Sequence, residues 1–237
     1  MPLDKHINSV ANQTKRYYDF DKLADSYDKW YDSAAGQMYD RLEKKAFDSL
    51  AGECNNGKQL LEIGCGTGHW SRYFSEKEFE VTGIDISREM IATASKKNIP
   101  HCHFQAGDGQ NLSFFDNSFD AAAAITTLEF SENPERIITE MARCVKPKGK
   151  LLFGVLNFLC PYNQKRQNNT EGMYAYAQLF SPQQLRCMLE QYGTVRLKVT
   201  GFVVRKKWPL WLTPFWELLC RKIGSKKGAF IAAEVKL

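Results

Sequence analysis

The chain has 237 residues, of which 43% are hydrophobic and 25% charged, and a formal charge of +5. That length fits one large domain, or one domain with a cap, and the composition can bury a substantial core. No apolar run approaches the roughly 18 residues of a membrane span, and residues 1–18 carry no apolar signal-peptide core. The seven cysteines are scattered and odd in number, which favours reduced thiols and a cytoplasmic location over a disulfide framework.

In chain order, residues 1–16 are polar and predict a flexible arm ahead of a single domain over 17–237. From 17 to 31 the chain is rich in aromatics and acids, and Phe20, Leu23, Ala24, Tyr27 and Tyr31 recur at helical spacing. A second helix is predicted over 37–50, with Met38, Leu42, Ala46 and Leu50 on one stripe. Residues 17–51 thus read as a helical cap. Its aromatics either pack on the domain or form a lid in which Tyr27 or Tyr31 touches a ligand.

From Lys58 strands and helices alternate. Strands are predicted over 59–63, 80–84, 101–105, 119–125, 149–156, 194–204 and 228–235. Helices are predicted over 71–76, from a Ser87 cap to about residue 97, over 133–145 with Pro134 at the first position, and from Ser181-Pro182. This alternation means βαβ units, a parallel sheet and right-handed crossovers.

Between the first strand and its helix lies Glu62-Ile63-Gly64-Cys65-Gly66-Thr67-Gly68. Three glycines let the backbone turn tightly and approach a ligand. The helix behind them offers free N–H groups. The spacing is neither G-x-G-x-x-G nor a P-loop, which would need a lysine. Asp85 ends the second strand, where an acid can accept both hydroxyls of a ribose. Asp108 follows the third strand, where a carboxylate can accept from an exocyclic amine. With no phosphate-binding lysine or arginine near the turn, these landmarks describe an adenosine-bearing ligand whose tail is not a phosphate.

The glycine turn, then Gly83-Ile84-Asp85-Ile86-Ser87 with Met90, resembles class I S-adenosylmethionine-dependent methyltransferases. Asp108 with Leu112-Ser113-Phe114-Phe115-Asp116-Asn117-Ser118-Phe119-Asp120, and Glu140-Met141-Ala142-Arg143-Cys144-Val145-Lys146-Pro147-Lys148-Gly149-Lys150, resemble two further stretches of that family. The type 11 group, with its quinone C-methyltransferases and many small-molecule O- and N-methyltransferases, is the most similar. Lys148 departs from the pattern by replacing the first glycine of a pair, in a turn that faces away from the cofactor in the family. The resemblance implies an α/β, doubly wound, Rossmann-like fold: a seven-stranded, mostly parallel sheet with an antiparallel last strand. It also implies S-adenosyl-L-methionine as cofactor and S-adenosyl-L-homocysteine as product. Gly64 and Gly66, with Cys65 and Gly68 in the same turn, would lie under the methionine part, and Glu62 would orient that turn. Asp85 would take the ribose, Ile86 and Met90 would pack on adenine, Asp108 and Gly109 would bind its edge, and Thr126 would line the floor near the methyl group.

Methyl transfer from a sulfonium is an in-line displacement in which positioning can contribute roughly 7–11 kcal/mol. A base is needed only where the nucleophile must lose a proton, so the fold itself names no catalytic residue. The candidates are His69 at a helix start, Tyr27, Tyr31, and Glu129 after the fourth strand. Candidate substrate contacts are Tyr27, with Asn157 and Arg166 in the long polar stretch over 157–176, the usual place for a substrate loop. His101-Cys102-His103 looks like a metal trio, but strand neighbours point to opposite faces, so no metal is expected. Cys65 reads as packing.

Residues 205–227 carry seven lysines and arginines against one glutamate, a local +6, and three of the five tryptophans. Thr213 and Pro214 read as a cap and first-turn pair, and Gly224 as a stop. This apolar and basic segment reads as a docked helix, as a lip over an apolar substrate, or as a peripheral contact with an anionic membrane. So local a basic patch argues against nucleic acid. The expected protein is a monomeric or homodimeric enzyme that methylates a small-molecule acceptor, with apolar, lipid-like and quinone-like acceptors among the options. The rival is a non-catalytic S-adenosylmethionine-binding or regulatory protein on the same fold.

Overall fold

A computed structural model describes residues 18–51, 57–169, 172–202 and 212–237. After a 3-10 turn (Phe20–Leu23) come α1 (Lys29–Asp32), α2 (Ala34–Ala51), β1 (Lys58–Ile63), α3 (His69–Glu76), β2 (Phe79–Asp85), α4 (Arg88–Lys96), β3 (Cys102–Ala106), β4 (Phe119–Ile125), α5 (Pro134–Cys144), β5 (Val145–Leu156), α6 (Pro161–Gln167), α7 (Pro182–Leu189), β6 (Thr194–Thr200), α8 (Thr213–Lys222) and β7 (Phe230–Lys236). The strands form one sheet in the order β3-β2-β1-β4-β5-β7-β6. β1 to β5 pair in parallel, and β7 runs antiparallel between β5 and β6. This is the doubly wound, seven-stranded sheet expected, with the last strand reversed. Chain order changes direction between β1 and β4, so the crevice beyond their carboxyl ends is the natural ligand position.

The strand sequences explain the layering. Ala121, Ala122, Ala123 and Ala124 of β4 are buried on both faces, and small residues there let helices lie close above and below. On one face Ile63, Ile84, Met141, Phe153 and Ile231 join a core shared with α5 and α7. On the other Phe47, Trp70, Phe74 and Phe230 pack under α2 and α3. Three predicted helix starts are present, while α2 begins at Ala34 and α3 at His69, ahead of the expected 37 and 71. The Ser87 hydroxyl accepts from the Met90 N–H at 3.1 Å, Asn133 from the Arg136 N–H at 2.9 Å, and Ser181 forms a reciprocal box with Gln184.

Several boundaries differ. The helical spacing over 20–31 gives a 3-10 turn and the one-turn α1 instead of a continuous helix, with Asp21 bonded to the α4 cap Ser87 and Asp28 to Thr67 of the glycine turn and to Lys97 at the end of α4. On α2, Ala46, Phe47 and Leu50 are buried, while Met38 and Leu42 are only half-buried. β3 begins at Cys102, since His101 occupies a left-handed turn (φ 56°). β5 begins at Val145, four residues early, through a register shift against β4, and Lys148 stands there at φ 68°, a backbone that favours glycine. The stretch 157–176, expected as a loop, contains α6 and a 3-10 turn (Met173–Tyr176). Thr213 is the first helical residue and not the cap; its hydroxyl faces the Met38 sulfur at 3.2 Å. Gly224 ends the helix at φ 69°. The arm over 1–16 and residues 203–211 lie outside the described residues.

Candidate active site

Gly64, Gly66 and Gly68 hold φ of 68°, 53° and 81°, so all three need the freedom of glycine. A Cβ on Gly64 would lie 2.3 Å from Thr127 Oγ1, whereas one on Gly66 would meet nothing within 4 Å. The open side of Gly66 faces a cavity of about 440 Å³ beyond the ends of β1 and β4, within the usual ligand range. The turn is tied to β2 by its own amides. Gly64 and Cys65 N–H groups donate to Ile84 O at 2.7 and 3.0 Å. The Gly66 N–H donates to Asp85 Oδ2 at 2.8 Å, and the Ser87 N–H to Oδ1 at 2.9 Å. Asp85 is thereby fixed at the cavity wall, and burial raises its pKa.

Gly64, Gly66, Asp85, Ile86, Met90, Asp108, Gly109 and Thr126 all line this cavity. Gly109 permits the approach of its loop to β1, since a Cβ there would lie 2.5 Å from Ile63 Cγ2. Asp108 Oδ1 accepts from the Gln110 N–H at 2.8 Å. Ile86 is 73% exposed, an apolar surface beside the carboxylate of Asp85. Thr126 holds φ 51°, an outlier for a β-branched residue. Glu62, Cys65 and Gly68 stand behind the wall. Glu62 is buried, accepts from Ser71 Oγ at 2.5 Å, and is pushed by burial up to about 8. Cys65 is packed beneath Gly83, and Gly68 starts α3 against Ile99.

The roof is the segment over 18–32. Tyr18, Phe20 and Tyr27 cover the cavity. Ser87 Oγ donates to Asp21 Oδ1 at 2.5 Å, and Thr67 Oγ1 to Asp28 Oδ1 at 2.6 Å. Lys97 Nζ bridges Asp28 Oδ2 and Thr67 O, both at 2.6 Å.

A second cavity of about 420 Å³ adjoins the first, and Tyr27, Thr126 and Phe130 line both. The Tyr27 hydroxyl, its pKa raised by burial, bonds to the side chains of Thr126 and Tyr31. Tyr31 also lines this chamber and stacks on His69 at 3.5 Å and 9°. His69 lies outside both cavities and bonds Asp40 Oδ1 through Nε2 at 2.7 Å. Burial pushes the Asp40 carboxyl up, but the hydrogen bonds from His69 and Lys44 outweigh it and hold the pKa below the usual range. Glu43 also lines the chamber; burial first, then the Asp40 charge, pushes it up to about 8. Arg166, Tyr162 and Asn163 of α6, with Tyr174, form the far wall. Glu129 is buried behind the chamber, accepts from the Leu156 N–H at 2.5 Å, and is raised to about 8 by burial. Asn157 lines neither cavity. Its Nδ2 donates to Lys226 O and Gly228 O, both at 2.7 Å, and so joins the end of β5 to the approach to β7.

Sequence reasoning missed Tyr39 and Glu43, which lie four residues apart on α2, in line with buried Phe47. The available signal was an acid on the inward stripe of an amphipathic helix. Among the described residues no group of three or more His, Cys, Asp and Glu side chains is placed to hold a metal. His101 instead bonds Glu80 at 2.8 Å.

The fit of the first cavity to an adenosine-bearing sulfonium rests on its own features: the open face of Gly66, two wall carboxylates with unused oxygen lone pairs, and the apolar surfaces of Ile86 and Met90. Comparison with known proteins agrees. Residues 61–153 match the model of the methyltransferase domain family. An uncharacterized protein of Methanocaldococcus jannaschii is 33% identical over 191 residues, 79% of this chain and 86% of that protein. The chain belongs to the class I S-adenosylmethionine-dependent methyltransferases. A demethylmenaquinone methyltransferase of Renibacterium salmoninarum is 31% identical over 150 residues, 63% of this chain and 60% of the relative's length. The same fold is seen in a Thermotoga maritima protein described as a possible histamine N-methyltransferase. It has a TM-score of 0.72 and 22% identity, over 92% of this chain and 97% of that one.

Proposed function

We propose that the protein moves a methyl group from S-adenosylmethionine in the first cavity to a small organic acceptor in the second. The observation that carries this reading is the shared wall of Tyr27, Thr126 and Phe130, where the two ligands would meet. Gly64 and Gly66 would cradle the methionine part, Asp85 the ribose, Ile86 and Met90 the adenine face, and Asp108 with Gly109 its edge. When bound, the sulfonium supplies an electrophilic methyl group. The chain's own contribution is to hold the acceptor at the seam and keep water out, with roof and α6 closing over both. Tyr27, raised in pKa by burial, stays protonated and orients. Where the nucleophile must lose a proton, Glu43 is the chamber carboxyl suited to take it once ionised, toward and above about pH 8. The aromatic walls of the chamber favour a planar acceptor, of which a quinone-like ring is one form; the relatives' substrates remain their own.

Two arms test this. Asp85→Ala is expected to weaken S-adenosylmethionine binding about tenfold or more, the scale of lost hydrogen bonds to a charged group, as read by calorimetry on a variant shown folded by melting. Unchanged affinity removes the cofactor assignment. Turnover across phenol, amine and acid acceptors separates an enzyme from the rival, a non-catalytic cofactor-binding or regulatory protein: tight cofactor binding with no S-adenosylhomocysteine formed favours the rival.

We also propose that α8 makes a peripheral contact with an anionic membrane surface. Phe215, Leu218, Leu219 and Ile223 are exposed on it, near exposed Lys222, Lys226 and Lys227, the composition of an interfacial helix.

A further inference from the structure

The far wall of the second cavity carries a cation and an acceptor with no stated use. Arg166 lies with its guanidinium 3.3 Å from the centroid of the Tyr174 ring and 5.2 Å from that of Tyr162. Ring stacking engages the faces of the planar fork and leaves its N–H edge free to donate. The acid acting on it across the chamber is Glu43. That carboxyl, raised to about 8 by burial, is mostly protonated at neutral pH, and among the described residues the guanidinium forms no ion pair.

Asn163 stands three residues earlier on α6, one turn away and on the same face. It is 2% exposed and lines the chamber. Its Nδ2 donates to Asn157 O at 3.0 Å and to Ala229 O at 2.7 Å. Both partners are carbonyls, which only accept, so the amide orientation is forced by the network. The consequence is that Asn163 Oδ1 is buried without a hydrogen-bond partner. Native buried acceptors are nearly always satisfied, and this unpaired one belongs to a residue of the chamber wall.

We propose that this chamber selects an acceptor carrying a carboxylate or phosphate with a hydroxyl or amine beside it: Arg166 takes the anion and Asn163 Oδ1 accepts from the neighbouring donor. The aromatic walls, Trp30 and Tyr39 among them, suit a planar ring between that anchor and the seam. The inference rests on the reading of the second cavity as the acceptor site, and narrows it from any planar molecule to an acid.

The test uses the full chain saturated with S-adenosylhomocysteine, whose own binding is measured first. Four probes are titrated by calorimetry or ligand-observed NMR: 3-hydroxybenzoate, its neutral isostere 3-hydroxybenzamide, benzoate, which lacks the donor, and phenyl phosphate, which distinguishes a phosphate from a carboxylate preference. 3-Hydroxybenzoate is expected to bind at least about tenfold tighter than the amide, as charge-assisted pairing predicts, and measurably tighter than benzoate. Arg166→Met keeps the stacking length and should remove the preference for the acid; Arg166→Lys should restore part of it. Cofactor affinity should stay the same in both. Equal affinity for acid and amide, no binding of any probe to the loaded protein, or an acid preference that survives Arg166→Met overturns the inference. The comparison of acid with amide on the native chain needs no variant. Failure of S-adenosylhomocysteine to bind would instead overturn the cofactor reading, so the two failures are distinct.

Discussion

Thr126 is a β-branched residue at φ 51°, a conformation that costs of the order of 1–3 kcal/mol and persists where the surroundings impose it. Its amide donates to Gly154 O at 2.7 Å and its hydroxyl to Ile125 O at 2.8 Å. The twist ends β4 abruptly and turns the chain between the two cavities. In the second cavity the carboxyl raised in pKa is Glu43. If it takes the proton of the nucleophile, kcat/KM rises with pH and levels off above about 8, where its carboxyl is ionised. Glu43→Gln is expected to flatten that rise and lower the plateau by the roughly 10²–10⁴-fold typical of acid–base catalysis. A pH–rate profile that keeps its inflection in the variant would assign the proton elsewhere. Neither residue was equally readable beforehand. Thr126 follows a recognisable apolar strand, whereas Glu43 is one acid among several on an amphipathic helix, and its depth depends on α6, more than a hundred residues later.

Elements whose logic is local were legible: caps at Ser87, Asn133 and Ser181, and a glycine turn with an acid one strand later. These signals arise because backbone N–H groups at a turn or helix start need a partner within a few residues. The second cavity is not local, since its walls come from α1, α2, α6 and the turn over Met173–Tyr176, which are far apart in the sequence. Asn157 shows the same limit. A polar residue after a parallel strand reads as a substrate contact, yet it satisfies carbonyls seventy residues away. At this scale α8 makes a testable statement. Glu217, buried at 3% exposure, bonds Thr200 Oγ1 at 2.5 Å and the Phe202 N–H at 3.1 Å, so one face is fixed to β6 while Phe215, Leu218 and Ile223 point outward. Flotation with anionic liposomes should carry the native chain at low salt and less of it at high salt. Phe215→Ser with Ile223→Ser, or glutamate at Lys222, Lys226 and Lys227, should abolish it. Absence of lipid binding by the native protein removes the membrane contact.

For the whole molecule, buried carboxyls set the pH range of stability. Burial holds Glu62 and Glu129 up to about 8, against a carboxyl near 4.3 in an unfolded chain. The folded state therefore keeps protons that the unfolded state releases. The stability they contribute is complete below the unfolded pKa and is lost as pH rises toward about 8. Glu140 behaves oppositely. Its hydrogen bond from Arg143 lowers its pKa, so that contribution is lost as the solution becomes acidic. Melting temperature is expected to peak in mildly acidic solution and fall toward pH 9. The double variant Glu62→Gln, Glu129→Gln should flatten the alkaline side, because glutamine still accepts from Ser71 and Leu156. An unchanged alkaline decline would place its origin in other groups.

Tyr27 serves as a wall for both chambers, on a roof fastened to Ser87, Thr67 and Lys97 beside the glycine turn. A roof that settles only over a filled first chamber would finish the partition of the second at the same moment. In that case the catalytic cycle would be sequential and ordered: cofactor loads first, acceptor follows, and the demethylated cofactor leaves last. In initial-rate experiments S-adenosylhomocysteine should compete with S-adenosylmethionine and be noncompetitive toward the acceptor, and a random-order pattern would mean that the two chambers fill independently of their common wall.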